Sequence, residues 1–350
     1  MSAKIPVTVL GATGVVGQRF VRRLAHHPFF VVQHLVASER SEGKRYRDAC
    51  AWRLDGEPYG GLGDHVLGPG SEEGSFSPVV FSALDTGPAK EMEPAFAKAG
   101  ALVFSNASAF RMAETVPLLV PEVNGEHLGL VEAQRRHHGW KGAIVTNPNC
   151  TATVLVMALA PLHATFGIEA VMMTSMQAVS GAGYPGVPSL DILGNVIPFI
   201  RNEEEKVEEE TPKLLGRFAQ DHIEMAPMVV TALCHRVPVL EGHTEAVSVR
   251  LKGNPSPEEV AKTLREWRAE PQALGLPTAP RIPVHVHDLP DRPQVRKDVE
   301  GDGGMSVHVG RIRPCPLLGI KFTLLGHNTE RGAAGASILN AELAHAKGLA

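Results

Sequence analysis

Ile5-Pro-Val-Thr-Val-Leu-Gly11-Ala-Thr-Gly14-Val-Val-Gly17, near the start of this 350-residue chain, decides the reading of the fold. Ile5 to Leu10 reads as a strand, with Pro6 tolerable close to its beginning. Glycines at three-residue intervals follow. A helix then runs to about His27, where Pro28 stops it. Strand, glycine turn and helix in that order are the context a dinucleotide-binding loop demands. Glycine lets the backbone approach a pyrophosphate, and the helix N-terminus offers free N–H groups and partial positive charge. Candidate coenzyme contacts are therefore Gly11, Thr13, Gly14, Val15, Val16 and Gly17. The spacing is G-x-x-G-x-x-G and not the plain G-x-G-x-x-G, so a glycine turn without a ligand stays open.

Outward from the loop, strand and helix patterns alternate. Phe30 to Ala37, Val79 to Phe81 and Leu102 to Ser105 read as strands. A helix from about Ala89 to Ala99 separates the last two, with Pro94 inside it as an irregularity. This alternation predicts βαβ units and a parallel sheet. The end of the second strand selects the coenzyme: an acidic residue holds the ribose hydroxyls of NAD, and Arg accommodates the 2′-phosphate of NADP. Ser38, Arg40 and Ser41 favour NADP. Glu39 argues for NAD if its carboxylate points inward.

The second half changes character. Strand-like runs at Val171 to Met176, Ala246 to Leu251, Ile282 to Val286, Ser306 to Ile312 and Ile320 to Leu325 are broken by few helices, such as Ser256 to Ala269. The expected architecture is α/β. A Rossmann dinucleotide-binding domain over residues 1–149 is completed by an Ala-rich last helix in residues 331–350. An α+β catalytic domain with a mixed or antiparallel sheet covers residues 150–330, and the site lies between the two.

The net charge is −4, with no basic run, so nucleic acid is not an expected partner. No apolar stretch suits a bilayer, and Met1 to Leu10 lacks the regions of a signal peptide. The four cysteines are far apart, without metal-like spacing. No metal is expected, and a cytoplasmic location is the default.

Asn147-Pro-Asn149-Cys150 precedes a helix. A thiol there has its thiolate favoured by the dipole, with a lowered pKa, and nearby N–H groups stabilise an oxyanion. A free cysteine is as often a small buried hydrophobe, and this site alone leaves both readings open. Arg236 and His243 flank a loop that opens the strand Ala246 to Leu251. Arg clamps carboxylates, and His serves as acid and base near neutrality. With sixteen histidines in the chain, His243 alone carries little weight.

Taken together, these motifs resemble aspartate-β-semialdehyde dehydrogenase, and most closely its archaeal and fungal branch. They are GATGVVG at Gly11 to Gly17, ASERSEGK at Ala37 to Lys44, SNASAFRM at Ser105 to Met112 and NPNC ending at Cys150. QAVSGAGYPGVPSLD follows at Gln177 to Asp191, then EEEK at Glu203 to Lys206, RVPVLEGHTE at Arg236 to Glu245 and RGAAGASILNAEL near the C-terminus.

The resemblance implies NADPH-dependent reduction of L-4-aspartyl phosphate to aspartate semialdehyde, on the route to lysine, threonine and methionine. It implies Cys150 as nucleophile, His243 as acid–base residue and Gln177 as orienter of the acyl group. Arg236 would bind the substrate carboxylate and Glu204 its amino group. Arg111, Asn149 and Lys206 would bind phosphate, and Asn328 would approach the nicotinamide. A homodimer or homotetramer is the family's usual assembly. Without the resemblance, Arg111 and Lys206 read as surface charges and Glu204 as part of a solvated helix face. Two rivals remain: a malonyl-CoA reductase on the same scaffold, and an NADP-binding regulator without catalysis. N-acetylglutamyl-phosphate reductase usually carries PGCY, and Asn149 argues against it.

Overall fold

The computed structural model describes residues 3–350. Its first sheet is parallel throughout. It joins β1 (Ile5–Leu10), β2 (Phe30–Val36), β3 (Val79–Ser82), β4 (Leu102–Ser105) and β5 (Ala143–Thr146) in the order β2-β1-β3-β4-β5. Helices α1 (Val15–Leu24), α2 (Thr86–Ala99) and α3 (Leu130–His138) are its longer connections. β3, β4 and β5 are buried along their whole length, as strands covered on both faces must be. The order reverses direction between β1 and β3, which is where doubly wound sheets hold their ligands. Helix α2 runs through Pro94. The carbonyl that loses its partner belongs to Lys90, an exposed residue on the solvent side of the helix.

The second sheet is mixed. It comprises β6 (Ile168–Gln177), β9 (Val229–Arg236), β10 (His243–Leu251), β11 (Val284–His287), β12 (Val307–Cys315) and β13 (Gly319–Gly326), in the order β11-β12-β13-β10-β6-β9. A small hairpin, β7 (Arg217–Ala219) with β8 (His222–Glu224), stands apart. Three longer helices, α4 (Cys150–Phe166), α5 (Glu203–Leu214) and α6 (Pro257–Glu266), accompany this sheet. α4 is apolar almost all round and shares one core with strands β6, β10, β12 and β13. β9 lies in a stretch to which the sequence reading assigns no strand. Its two faces are apolar alike, with Val229 and Leu233 exposed and Ala232 and Cys234 buried, so it shows no clean alternation.

The final helix, α7 (Gly335–Ala346), returns to the first sheet. Ala334, Ile338, Leu339 and Leu343 pack in one cluster with Val7, Phe20, Phe81 and Phe104. It begins later than Arg331, because Glu330–Ala334 forms a π-helical turn. That turn holds a fully buried ion pair: the Arg331 guanidinium donates to both Glu122 oxygens, at 2.9 and 2.7 Å, and Nε donates to the Met305 carbonyl. No helix of the described residues is long and apolar enough to cross a membrane.

Removing one partner of such a pair strands the other without water. Arg331→Met should lower stability by about 3–5 kcal/mol in chemical denaturation. A change below about 1 kcal/mol would show that Glu122 finds another partner or sheds its charge.

Candidate active site

Cys150 is the first residue of α4, and its position is fixed by a cap. Asn149 Oδ1 accepts from the N–H groups of Thr151 and Ala152, at 2.9 and 3.0 Å. The N–H of Asn149 donates to Glu210 Oε2 at 2.6 Å. His243, wholly buried at the start of β10, brings Nε2 to 3.3 Å from the Cys150 sulfur. Nucleophile and imidazole, 93 residues apart, thus meet. Gln177 and Arg236 are register partners at the ends of β6 and β9. Gln177 Nε2 donates to Ser175 Oγ, and Arg236 Nη1 donates to the Ala178 carbonyl at 2.7 Å.

The charge states differ from the sequence expectation. Burial pushes the Cys150 thiol up to about 12. The Glu203 carboxylate adds to the rise, while Arg111 and Arg236 pull it down. The helix N-terminus therefore does not by itself yield a resting thiolate, because desolvation of the anion outweighs it. His243 moves the other way, to about 3, through burial and the charge of Arg236. The resting pair is a neutral thiol beside a neutral imidazole. Nδ1 accepts from the Ala178 N–H at 3.2 Å, which places the ring proton on Nε2, facing sulfur.

Helix α5 carries Glu203, Lys206, Glu210 and Lys213 at spacings of three and four residues, which line them up along one face. Glu203 is buried, accepts from Thr151 Oγ1 at 3.1 Å and faces the cysteine. Glu204, expected at the substrate amino group, is turned away and accepts from the Cys234 N–H on β9 at 2.8 Å. One residue along a helix rotates a side chain by about 100°, and that rotation decides between the two. Lys206 lies one turn from Glu203, half-buried, with no ion pair among the described residues. Glu210 bonds Arg111 Nη1 at 3.1 Å, and Lys213 Nζ donates to the Arg111, Ala113 and Val116 carbonyls. Arg111 is thereby held near Cys150. The acidic run is divided: Glu203 and Glu210 are buried beside the Cys150 turn, while Glu205 and Glu209 stay exposed.

Two glycines that the sequence reading did not single out are required here. A Cβ on Gly332, in the π-helical turn, would lie 2.6 Å from Cys150 Cβ. A Cβ on Gly181 would lie 2.8 Å from Arg236 Nη1 and 3.2 Å from His243 Cε1.

The glycine loop follows β1 at the switch point. Gly11 has φ +73° and sits against the Ala83 carbonyl, and a Cβ on Gly17 would lie 2.1 Å from the Gly11 carbonyl oxygen. Both glycines serve the turn itself. Gly14 is different: it is exposed, and a Cβ there would meet only the Gly11 carbonyl oxygen, at 3.4 Å. No side chain caps α1 and no acid lies in its first turn, so no side chain of the protein occupies the N–H groups at the start of the helix, about Thr13, Val15 and Val16. Ser38, Arg40 and Ser41 follow β2, with Ser38 Oγ 3.4 Å from Ser41 Oγ and Arg40 exposed without an ion pair among the described residues. Glu39 is equally exposed.

Asn328, expected near the nicotinamide, ties two loops together. Its Oδ1 accepts from the Gly242 N–H and its Nδ2 donates to Ser180 Oγ, both at 2.8 Å. Elsewhere, His287, Asp298 and His308 bring ligand atoms within 4.8 Å of one another. They are occupied with neighbours: His287 Nε2 lies 3.0 Å from His308 Nδ1, and Arg292 engages both Asp298 oxygens. Cys50, Cys234 and Cys315 are buried and unpaired.

Comparison with known proteins places this geometry. The family model for the semialdehyde dehydrogenase NAD binding domain matches residues 6–131, and that for the semialdehyde dehydrogenase dimerisation domain matches residues 159–331. An aspartate-semialdehyde dehydrogenase of Archaeoglobus fulgidus is 53% identical over 96% of this chain and 97% of its own length. The chain belongs to the aspartate-semialdehyde dehydrogenase family. A second member, from Methanothermobacter thermautotrophicus, is 48% identical over 97% of this chain and 98% of its own. The aspartate semialdehyde dehydrogenase of Candida albicans, solved with NADP, superposes with a TM-score of 0.91 at 42% identity, covering 99% of this chain and all of that one.

Within this family's site, Gly181→Ala should leave folding intact, because the nearest atom is the end of a flexible side chain. It should lower turnover by about 10- to 100-fold by moving Arg236 and His243 together. Unchanged turnover would show that neither group needs its place. Arg236→Gln should slow alkylation of Cys150 at fixed pH, since the removed charge favours the thiolate. A faster reaction would reverse the sign assigned to Arg236.

Proposed function

We propose that the chain catalyses the NADP-dependent, reversible conversion of L-4-aspartyl phosphate to L-aspartate 4-semialdehyde and phosphate through a thioester on Cys150. The observation that carries this reading is the 3.3 Å approach of His243 Nε2 to the Cys150 sulfur, flanked by Arg111 and Arg236. Two cationic groups around one thiol suit a substrate with two anionic ends. Arg236 keeps Nη2 for the α-carboxylate. Arg111, Lys206 and the Nδ2 of Asn149 serve the phosphate. Glu203 takes the amino group in place of Glu204.

With thiol and imidazole both neutral at rest, the proton moves as the substrate reacts. For Nε2 to take it, the ring proton shifts to Nδ1, giving up the long Ala178 bond. The Gly242 carbonyl favours that charged ring. The Cys150 sulfur bonds to the acyl carbon, the carbon–oxygen bond to phosphate breaks, and Arg111 and Lys206 offset the charge that leaves. Gln177 orients the resulting thioester. NADPH, held by the glycine loop with Ser38, Arg40 and Ser41, supplies a hydride to the thioester carbon when bound. His243 N–H stabilises the oxyanion. Collapse to the aldehyde expels the Cys150 thiolate, which recovers its proton from His243.

The same reading assigns residues 1–149 with residues 331–350 to coenzyme binding and residues 150–330 to catalysis. It also assigns a homodimer through the outer face of the second sheet, where Met172, Met176, Val229 and Leu233 are exposed. A cytoplasmic location accompanies this reading.

The test is an assay of phosphate-dependent NADP reduction with aspartate semialdehyde, beside NADPH oxidation with malonyl-CoA. Activity with the semialdehyde alone is expected, abolished by Cys150→Ser while NADP binding persists. Activity confined to malonyl-CoA, or none with either, would overturn the assignment.

A further inference from the structure

Arg19 lies on α1, five residues beyond Gly14, and is buried. Its guanidinium spans two carboxylates. Nη1 donates to Glu330 Oε1 at 2.7 Å and Nη2 to Glu241 Oε1 at 2.6 Å. Glu241 stands two residues before His243. Its second oxygen accepts from Ser180 Oγ at 2.9 Å and Thr329 Oγ1 at 3.0 Å. Ser180 in turn accepts from Asn328, whose Oδ1 holds the Gly242 N–H. Ala178, two residues before Ser180, donates its N–H to the imidazole.

We propose that Arg19 and Glu241 are positioning residues that couple occupancy of the glycine loop to the placement of His243. The inference rests on the coenzyme reading above. A pyrophosphate at the N-terminus of α1 bears on a helix that moves as a unit, and Arg19 is a rigid fork on that helix. The fork grips the carboxylate that fixes both loops touching the His243 ring. A shift of α1 relative to the second sheet is therefore delivered to the ring through one ion pair.

The ion pair is separable from folding. Without Arg19, Glu330 keeps Arg22 and Arg23, and Glu241 keeps Ser180, Thr329 and partial exposure to water.

The experiment uses the full chain as wild type, Arg19→Met, Arg19→Lys, Glu241→Gln and the Arg19→Met/Glu241→Gln double variant. It follows iodoacetamide labelling of the Cys150 peptide by mass spectrometry with and without NADP, NADP affinity by calorimetry, and kcat and KM. In wild type, NADP should change the labelling rate. In Arg19→Met and Glu241→Gln that change should vanish while NADP still binds. Turnover should fall about 10- to 100-fold with coenzyme KM within about threefold, and Arg19→Lys should recover part of it. The double variant should be no worse than either single one.

An unchanged wild-type labelling rate on adding NADP overturns the proposal. So do variants that keep the NADP response, or losses that add in the double variant. Should Arg19→Met fail to fold, Glu241→Gln alone decides. A wild type inactive on aspartate semialdehyde, yet with a labelling response lost in the variants, overturns the assigned reaction and leaves the coupling standing.

Discussion

The Glu210 carboxylate is the constraint on which the geometry around Cys150 depends. It is almost without solvent, and its two oxygens tie α5 to two separate segments that precede Cys150. One accepts the N–H that precedes the nucleophile; the other holds Arg111 on a loop of the first domain. A buried charge of this kind persists only where its partners are complete, and breaking one leaves the others stranded. The start of α4, the Arg111 loop and α5 are consequently a single unit. Lys213, bonded to three carbonyls of that same loop, closes it from the far side.

The division of labour along α5 also explains what could and could not be read from the chain. Four of the five strands of the first sheet, β1 to β4, can be placed from apolar runs punctuated by glycine and proline; β5, a short apolar run just before Asn147, is not read as a strand. β9 cannot be placed, since an edge strand with apolar residues on both faces has no period to detect. Cys150 and His243 are identifiable by residue type and motif, but their meeting depends on β10 lying beside β6, which no local pattern encodes. Glu203 and Glu204 are identical in composition and adjacent in sequence. Only the helical rotation that aims one at Thr151 and the other at β9 separates them. The acidic run suggests a wet surface because charge usually marks one; here each buried acid has a partner contributed by a distant segment. The bonds of Asn328 to Gly242 and Ser180 are likewise invisible to a motif, since both partners lie far from it in sequence.

The electrostatics of the pair at the centre follow from enclosure. Gly332 lets the π-helical turn close directly over Cys150, and His243 is sealed beneath Gly181. Closure raises the thiol and lowers the imidazole, so the protein holds its proton on sulfur over the whole neutral range. Reactivity then depends on the two nearby guanidinium groups and on the alignment of the ring, not on a standing thiolate.

The return of α7 to the first sheet has a consequence in time. Phe20, Phe81 and Phe104 are made early in synthesis, and the side chains that cover them, from Ala334 to Leu343, are made last. A domain usually folds as its own residues emerge from the ribosome. Here the first core waits, partly uncovered, while the entire second sheet is translated. The order of the chain thus makes completion of the coenzyme half conditional on completion of the catalytic half.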